Sequence, residues 1–211
     1  MKKLSLFIIS YIIVISHIAA QKQIFSVPHL EDSLKKHETV AILPLRVTLS
    51  YERLPKDFDP EANKAGEKKT GLNMQQTMYI NLLQKADEYS ISFQDIDTTN
   101  ALMTRAGIAD SFDELFPDSI AKVLGVDAII KASYSFKKKR SEGGAMANSL
   151  IFGVGGSKGT GSLTMQIYSG ASGALLWRFY DEMKEQALPS GDEELIERMM
   201  RKISKNFPYT K

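Results

Sequence analysis

The sequence predicts an α/β (α+β) domain: a single mixed β-sheet with packed helices and a C-terminal helix. Strand-like runs alternate with segments whose apolar residues recur at steps of three and four. Two alternating strands flank Gly170–Gly173 as a hairpin, and the chain closes on an amphipathic segment. No internal repeat is present. The element order read from the chain is β, α, β, α, α, β, β, β, α, one layered unit.

The first residues, MKKLSLFIISYIIVISHIAAQ, have the form of a signal peptide. Lys2 and Lys3 form a basic start, Leu4–Ile18 is mostly apolar, and Ala19 and Ala20 are the small residues a signal peptidase requires. Cleavage is expected between Ala20 and Gln21, defining 1–20 as the signal. The apolar run is short for a span of roughly 20 residues. Residues 21–38, polar and containing Pro28, read as a flexible arm with a short helix at Glu31–His37. Residues 39–211 form the single domain, carrying a glycine-rich insertion at 137–161.

Within that domain TVAILPLRVTLS (39–50) reads as one buried strand and 51–70, with Pro55, Pro60 and Gly66, as a long charged loop. The helix that follows places Leu72, Met78, Tyr79, Leu82, Leu83 and Ala86 on one face. In YSISFQDI, Tyr89, Ile91 and Phe93 alternate with polar residues, a half-buried strand. DTTNALMTRAGI reads as a short helix capped near Asp97 or Thr98 and closed by Gly107. Pro117 opens a helix with Ile120, Val123 and Leu124 inward, Gly125 stops it, and VDAIIKASYSF continues as a strand. In the hairpin Leu163, Met165 and Ile167 oppose Ser162, Thr164 and Gln166. The last helix carries acids at 192–194 and bases at 201–205, matching its dipole, with Leu195, Ile196, Met199, Met200, Ile203 and Phe207 as its core stripe.

Composition excludes several function classes. There is no cysteine, so stability rests on core burial, and a cysteine-linked lipid anchor is ruled out. Loss of Lys2 and Lys3 reduces 27 basic residues to 25 against 25 acidic ones, a formal charge of 0. A nucleic-acid partner would call for a basic excess. The one basic run is Lys137, Lys138, Lys139 and Arg140.

The glycine-rich stretch IFGVGGSKGTG (151–161) fails the tests for phosphate-binding motifs. A Walker loop needs Gly-Lys followed by Ser or Thr, but Ser157 precedes Lys158; a dinucleotide fingerprint needs a third glycine where Lys158 stands. GGSKG matches a nucleophile elbow around Ser157, but a strand follows it and no histidine lies beyond His37. A serine hydrolase is kept only as a remote alternative. Asp57, Asp59 and Glu61 have calcium-like spacing, yet Ala62 and Lys68 occupy the positions that need Gly and Glu. Asp95 and Asp97 lie at a strand end beside a helix cap, and Asp97 or its neighbour is more simply that cap than half of an acid–base pair; Trp177, Phe179 and Tyr180 read mostly as strand packing. No catalytic, cofactor-binding or metal-binding set emerges.

Four stretches, in order, resemble the periplasmic α/β domain of the curli-secretion channel subunit family, and its relatives the penicillin-binding-protein activator and the N-terminal domain of the Tol-Pal β-propeller protein. They are VAILPL; LLQKADEYSISFQD leading into TTNALMTRAGI; IAKVLGVDAIIKASYSF; and LTMQIYSGASGALLW. The resemblance covers about 39–207. It implies a periplasmic, non-enzymatic accessory protein without cofactor, binding a secretion, surface-assembly or wall-synthesis partner or further copies of itself. It also implies that the 137–161 insertion stands where channel subunits carry a barrel hairpin, which makes an outer-membrane pore subunit the alternative. A second such insertion and the lipid-anchoring cysteine are missing. Read as a surface loop, a barrel strand or a partner-binding tip, the insertion offers Lys137, Lys138, Lys139, Arg140, Leu150, Ile151, Phe152 and Val154 as partner or membrane contacts.

Overall fold

The computed structural model describes residues 23–56, 58–138, 159–183 and 192–211. Seven strands form one mixed sheet: β1 (Gln23–Ser26), β2 (Thr39–Ile42), β3 (Arg46–Tyr51), β4 (Ser92–Phe93), β5 (Ala128–Lys138), β6 (Gly159–Ser169) and β7 (Leu175–Met183). Their order is β1-β7-β6-β5-β2-β4, and β3 also pairs with β5. The helices are α1 (Leu30–Leu34), α2 (Pro60–Leu83), α3 (Ile96–Arg105), α4 (Pro117–Leu124) and α5 (Asp192–Ser204).

β5 is the central strand. β2 and β3 both run parallel to it on one side, and β6 runs antiparallel on the other. The predicted single strand 39–50 is therefore two. Pro44 has no N–H to give the ladder, and the chain steps out between Leu43, which donates to the Ile130 carbonyl, and Leu45, which donates to Gly71 on α2. The ladder resumes at Arg46, opposite Ser133.

The expected loop 51–70 is helical from Pro60. Asp59 caps α2 by accepting from the N–H groups of Glu61 and Ala62, with Pro60 in the first turn where a missing N–H costs nothing. The expected inward face of this helix is also corrected. Leu72 and Leu83 are exposed, and Thr70, Gly71, Met74, Gln75, Met78 and Leu82 are buried. The cause is a close approach: a Cβ on Gly71 would overlap the Leu45 carbonyl oxygen, so the small residues face the sheet. Glu67, one turn earlier, accepts from Leu49 N–H at 2.6 Å. Together these contacts cover the free edge of β3.

The residues expected to be a flexible arm contribute β1, which pairs antiparallel with β7 from Gln23↔Tyr180 to Ser26↔Trp177. α1 is shorter than expected, and His37 beyond it is buried rather than mobile. Asp95, not Asp97 or Thr98, caps α3. Gly125 takes the left-handed conformation that ends α4, as its position predicts, while Val123 is exposed.

One face of the sheet carries α2 and α5 over the larger core cluster. Phe207 is its hub, in edge contact with Tyr89, Trp177 and Tyr209. Lys202 of α5 reaches the buried Asp181 of β7 at 2.5 Å. The other face carries α3 and α4 over a smaller cluster including Leu43, Met103, Ile120, Leu124 and Ile129.

Two substitutions test this packing. Gly71→Ala should destabilise by about 3 kcal/mol, the upper range for overpacking at a rigid contact, read by urea unfolding. Tyr134 is fully buried on β5, and its hydroxyl has no hydrogen-bond partner among the described residues. Tyr134→Phe should therefore raise stability by about 1 kcal/mol in the same assay, because it removes an unsatisfied buried group.

Candidate interaction surface

β5 changes character along its length. Ala128, Ile129 and Ile130 are buried on both faces, whereas from Lys131 onward only the side under α2 and α5 is fully buried. No described helix covers the opposite side beyond that point, and the pairing register puts one residue set there. One row runs Phe25–Arg178–Gln166–Lys131 and the next Gln23–Tyr180–Thr164–Ser133–Arg46. A third runs Glu182–Ser162–Ser135–Thr48, and a fourth Thr160–Lys137–Ser50. The surface is five strands wide and mostly hydroxyls and amides. Its alternation in 162–166 is legible in the sequence.

Its margins are defined by charge and by an edge. Asp113, in a 3-10 turn at Phe112–Glu114, lies 3.6 Å from both Arg46 Nε and Lys131 Nζ and so offsets part of the positive charge nearest α4. On the far side β1 is an edge strand with Ile24 44% and Phe25 48% exposed. An edge of unpaired backbone groups beside exposed apolar side chains is a template for a partner segment.

Of the predicted contact residues, Lys137 lies on the open face beside Thr160 and Ser50. Lys138 points to the other side. Its ammonium sits 5.6 Å from the centre of the Tyr51 ring, and burial holds its pKa below the usual lysine value. Tyr51 in turn donates to Asn63, whose amide donates to Glu67. Lys138 is thus a packing residue as much as a surface charge. Lys139, Arg140, Leu150, Ile151, Phe152 and Val154 lie outside the described residues, as do Ala20 and Gln21. So does Ser157; Gly159 begins β6, where the elbow pattern needs a helix.

A cleft of about 540 Å³ opens at the starts of β2 and β5, between Lys36, His37, Lys122, Asp127 and the turn at Ser169–Ser172. His37 and Asp127 share its wall, a pairing the sequence did not suggest. Asp127 Oδ2 accepts from the backbone N–H groups of Glu38 and Thr39, both at 2.9 Å, and these bonds hold its pKa below the ordinary carboxylate value. His37 Nδ1 instead meets the Tyr209 hydroxyl at 2.8 Å. Burial lowers the pKa of His37, while the charge of Asp127 opposes that shift. The two do not form the histidine–carboxylate hydrogen bond of a catalytic triad; the carboxylate instead holds β2 beside β5. Gly170 completes the joint, donating to the Asp127 carbonyl. Among the described residues there is no group of three or more potential metal ligands and no helix long and apolar enough to cross a membrane.

No family profile matches the sequence, and no curated protein matches it. Among solved structures the chain is similar to the lipoprotein GNA1162 from Neisseria meningitidis, at 13% identity over 80% of this chain and 99% of that one, TM-score 0.45. It is similar to the PelC dodecamer from Paraburkholderia phytofirmans at 11% identity over 88% and 94%, TM-score 0.37. It is also similar to the LpoB C-terminal domain from Salmonella enterica at 11% identity over 74% and 93%, TM-score 0.35. Superpositions this loose assign no function to this chain.

The His37 contact predicts a pH dependence. Its folded-state pKa is lowered, so on acidification the unfolded chain binds the proton first. Stability is then full above the ordinary histidine value of about 6.5 and declines as pH falls through and below it. Melting temperature should drop between about pH 7.5 and pH 5.5, and His37→Gln should flatten that drop.

Proposed function

We propose that this chain is an exported, non-enzymatic accessory protein of the cell envelope, with a domain of the curli-secretion type. It acts by docking a protein partner on its open sheet face. The single observation that carries the reading is that face: five strands of mostly hydroxyl and amide side chains, uncovered among the described residues, bordered by an edge strand that presents Phe25 on the same side. A polar field beside apolar anchors suits reversible protein contact, with desolvation concentrated at the anchors. The expected periplasmic location rests on the signal-like start.

A second reading, the outer-membrane pore subunit, has one observation in its favour. Among the described residues the β5–β6 ladder reaches Lys138↔Gly159, so the two residues that flank 139–158 lie side by side on paired antiparallel strands. This is how a barrel hairpin would have to be delivered.

Photocrosslinkers placed at Phe25, Tyr180 and Lys137 in cells should trap the same discrete envelope protein. Phe25→Asp with Tyr180→Asp should remove the adduct while shifting the melting temperature by less than about 4 °C. A protein that fractionates with the cytosol, or crosslinks nothing from these positions, would contradict the docking reading. An assembly that forms only in membrane extracts and requires 139–158 would favour the pore.

A further inference from the structure

α2 carries a second apolar stripe that the fold leaves outside. Leu72 is 39%, Ile80 46% and Leu83 44% exposed, while Tyr79, on the flank of this stripe, is half-buried against the larger core. At 100° per residue Leu72, Gln76, Ile80 and Leu83 cluster about 155° round the helix from the middle of its buried arc. They therefore point away from the sheet. Single exposed leucines need no explanation, but a contiguous stripe on one helix face does.

The same stretch is free of charge. From Thr70 to Gln84 there is no Asp, Glu, Lys or Arg, although the preceding turns contain Glu61, Lys64, Glu67, Lys68 and Lys69. What stands between the apolar residues is amides, Gln76 and Gln84 among them. That combination selects its occupant. Across a two-fold axis every group meets the same surface of the other copy, so a charge near the axis meets its like. Apolar groups and amides, which donate and accept equally, are the side chains compatible with such self-contact.

We infer that α2 is a homodimer interface: the Leu72–Leu83 face pairs antiparallel with the same face of a second copy, with Leu72 of one copy near Leu83 of the other. The contact lies on the side of the sheet opposite the open face, so it leaves the docking surface of both copies free. It does not depend on what that surface binds.

Sedimentation velocity of the purified chain over about 1–200 µM should show a monomer passing to a dimer, a short helix pair giving a modest affinity. Leu83→Glu should weaken the association by roughly tenfold or more, with an unchanged melting curve because the residue is exposed. Gln76→Lys and Gln76→Glu should each weaken self-association, and mixing the two variants should restore it. This rescue discriminates the symmetric contact from a loss of folding. A chain that stays monomeric to the highest concentration would overturn the inference. A dimer that survives Leu83→Glu, or Gln76 variants that fail to restore one another, would also overturn it.

Discussion

The structure depends on how β5 is buried. Its first three residues are apolar on both faces and are enclosed by α4 on one side and the main core on the other. From Lys131 onward one face becomes polar, and the helices stop with it. A parallel pair must normally be covered on both sides. β2 satisfies this beside Ala128–Ile130, whereas β3, parallel to the later half of β5, is covered on one side and held at its edge by α2. The position of a single lysine in the strand thus marks where the covered sheet becomes an open surface.

The two halves are joined by backbone-directed contacts more than by surface ion pairs. Asp127 fastens the start of β2 to the start of β5, and Gly170 closes on the Asp127 carbonyl. On the other side Gly71 lets α2 approach Leu45 closely enough to take its N–H. A carboxylate accepting backbone N–H groups gains charge-assisted bonds with little side-chain entropy to lose. The exposed pair of Lys35 with Asp32, by contrast, contributes little.

Much of this was legible in the sequence where the signal is local. The α4–Gly125–β5 unit carries its own start, stop and periodicity, and the β6–β7 hairpin its own turn. The alternation of Tyr89, Ile91 and Phe93 identified the inward side correctly, although only Ser92 and Phe93 form ladder pairs. The failures involve distant partners. Nothing near Gln23–Ser26 announces a strand, because its partner is β7, at the opposite end of the chain; pairing of that kind is set by tertiary context. On α2 the expected Met78 and Leu82 do face inward, but Leu72 and Leu83 do not, because closeness to Leu45 and not hydrophobicity decides which turn of the helix meets the sheet. His37 looked like part of a loose arm because Tyr209, its partner, is near the C-terminus. For the interaction surface, the hydroxyl stripe of β6 is visible in the sequence, but its alignment with those of β5 and β3 requires the register. The basic run was read as a unit, yet strand alternation sends Lys137 and Lys138 to opposite sides.

The end of the β5–β6 ladder has an architectural consequence. Phe136 packs so closely over Gly159 that no side chain fits there, and Lys138 and Gly159 face each other as the last rung among the described residues. Antiparallel strands paired at this rung are at the spacing a tight turn can bridge. The domain can therefore be closed by two residues as well as by twenty, and evolution could lengthen, shorten or rewrite what lies between without renegotiating the scaffold beneath.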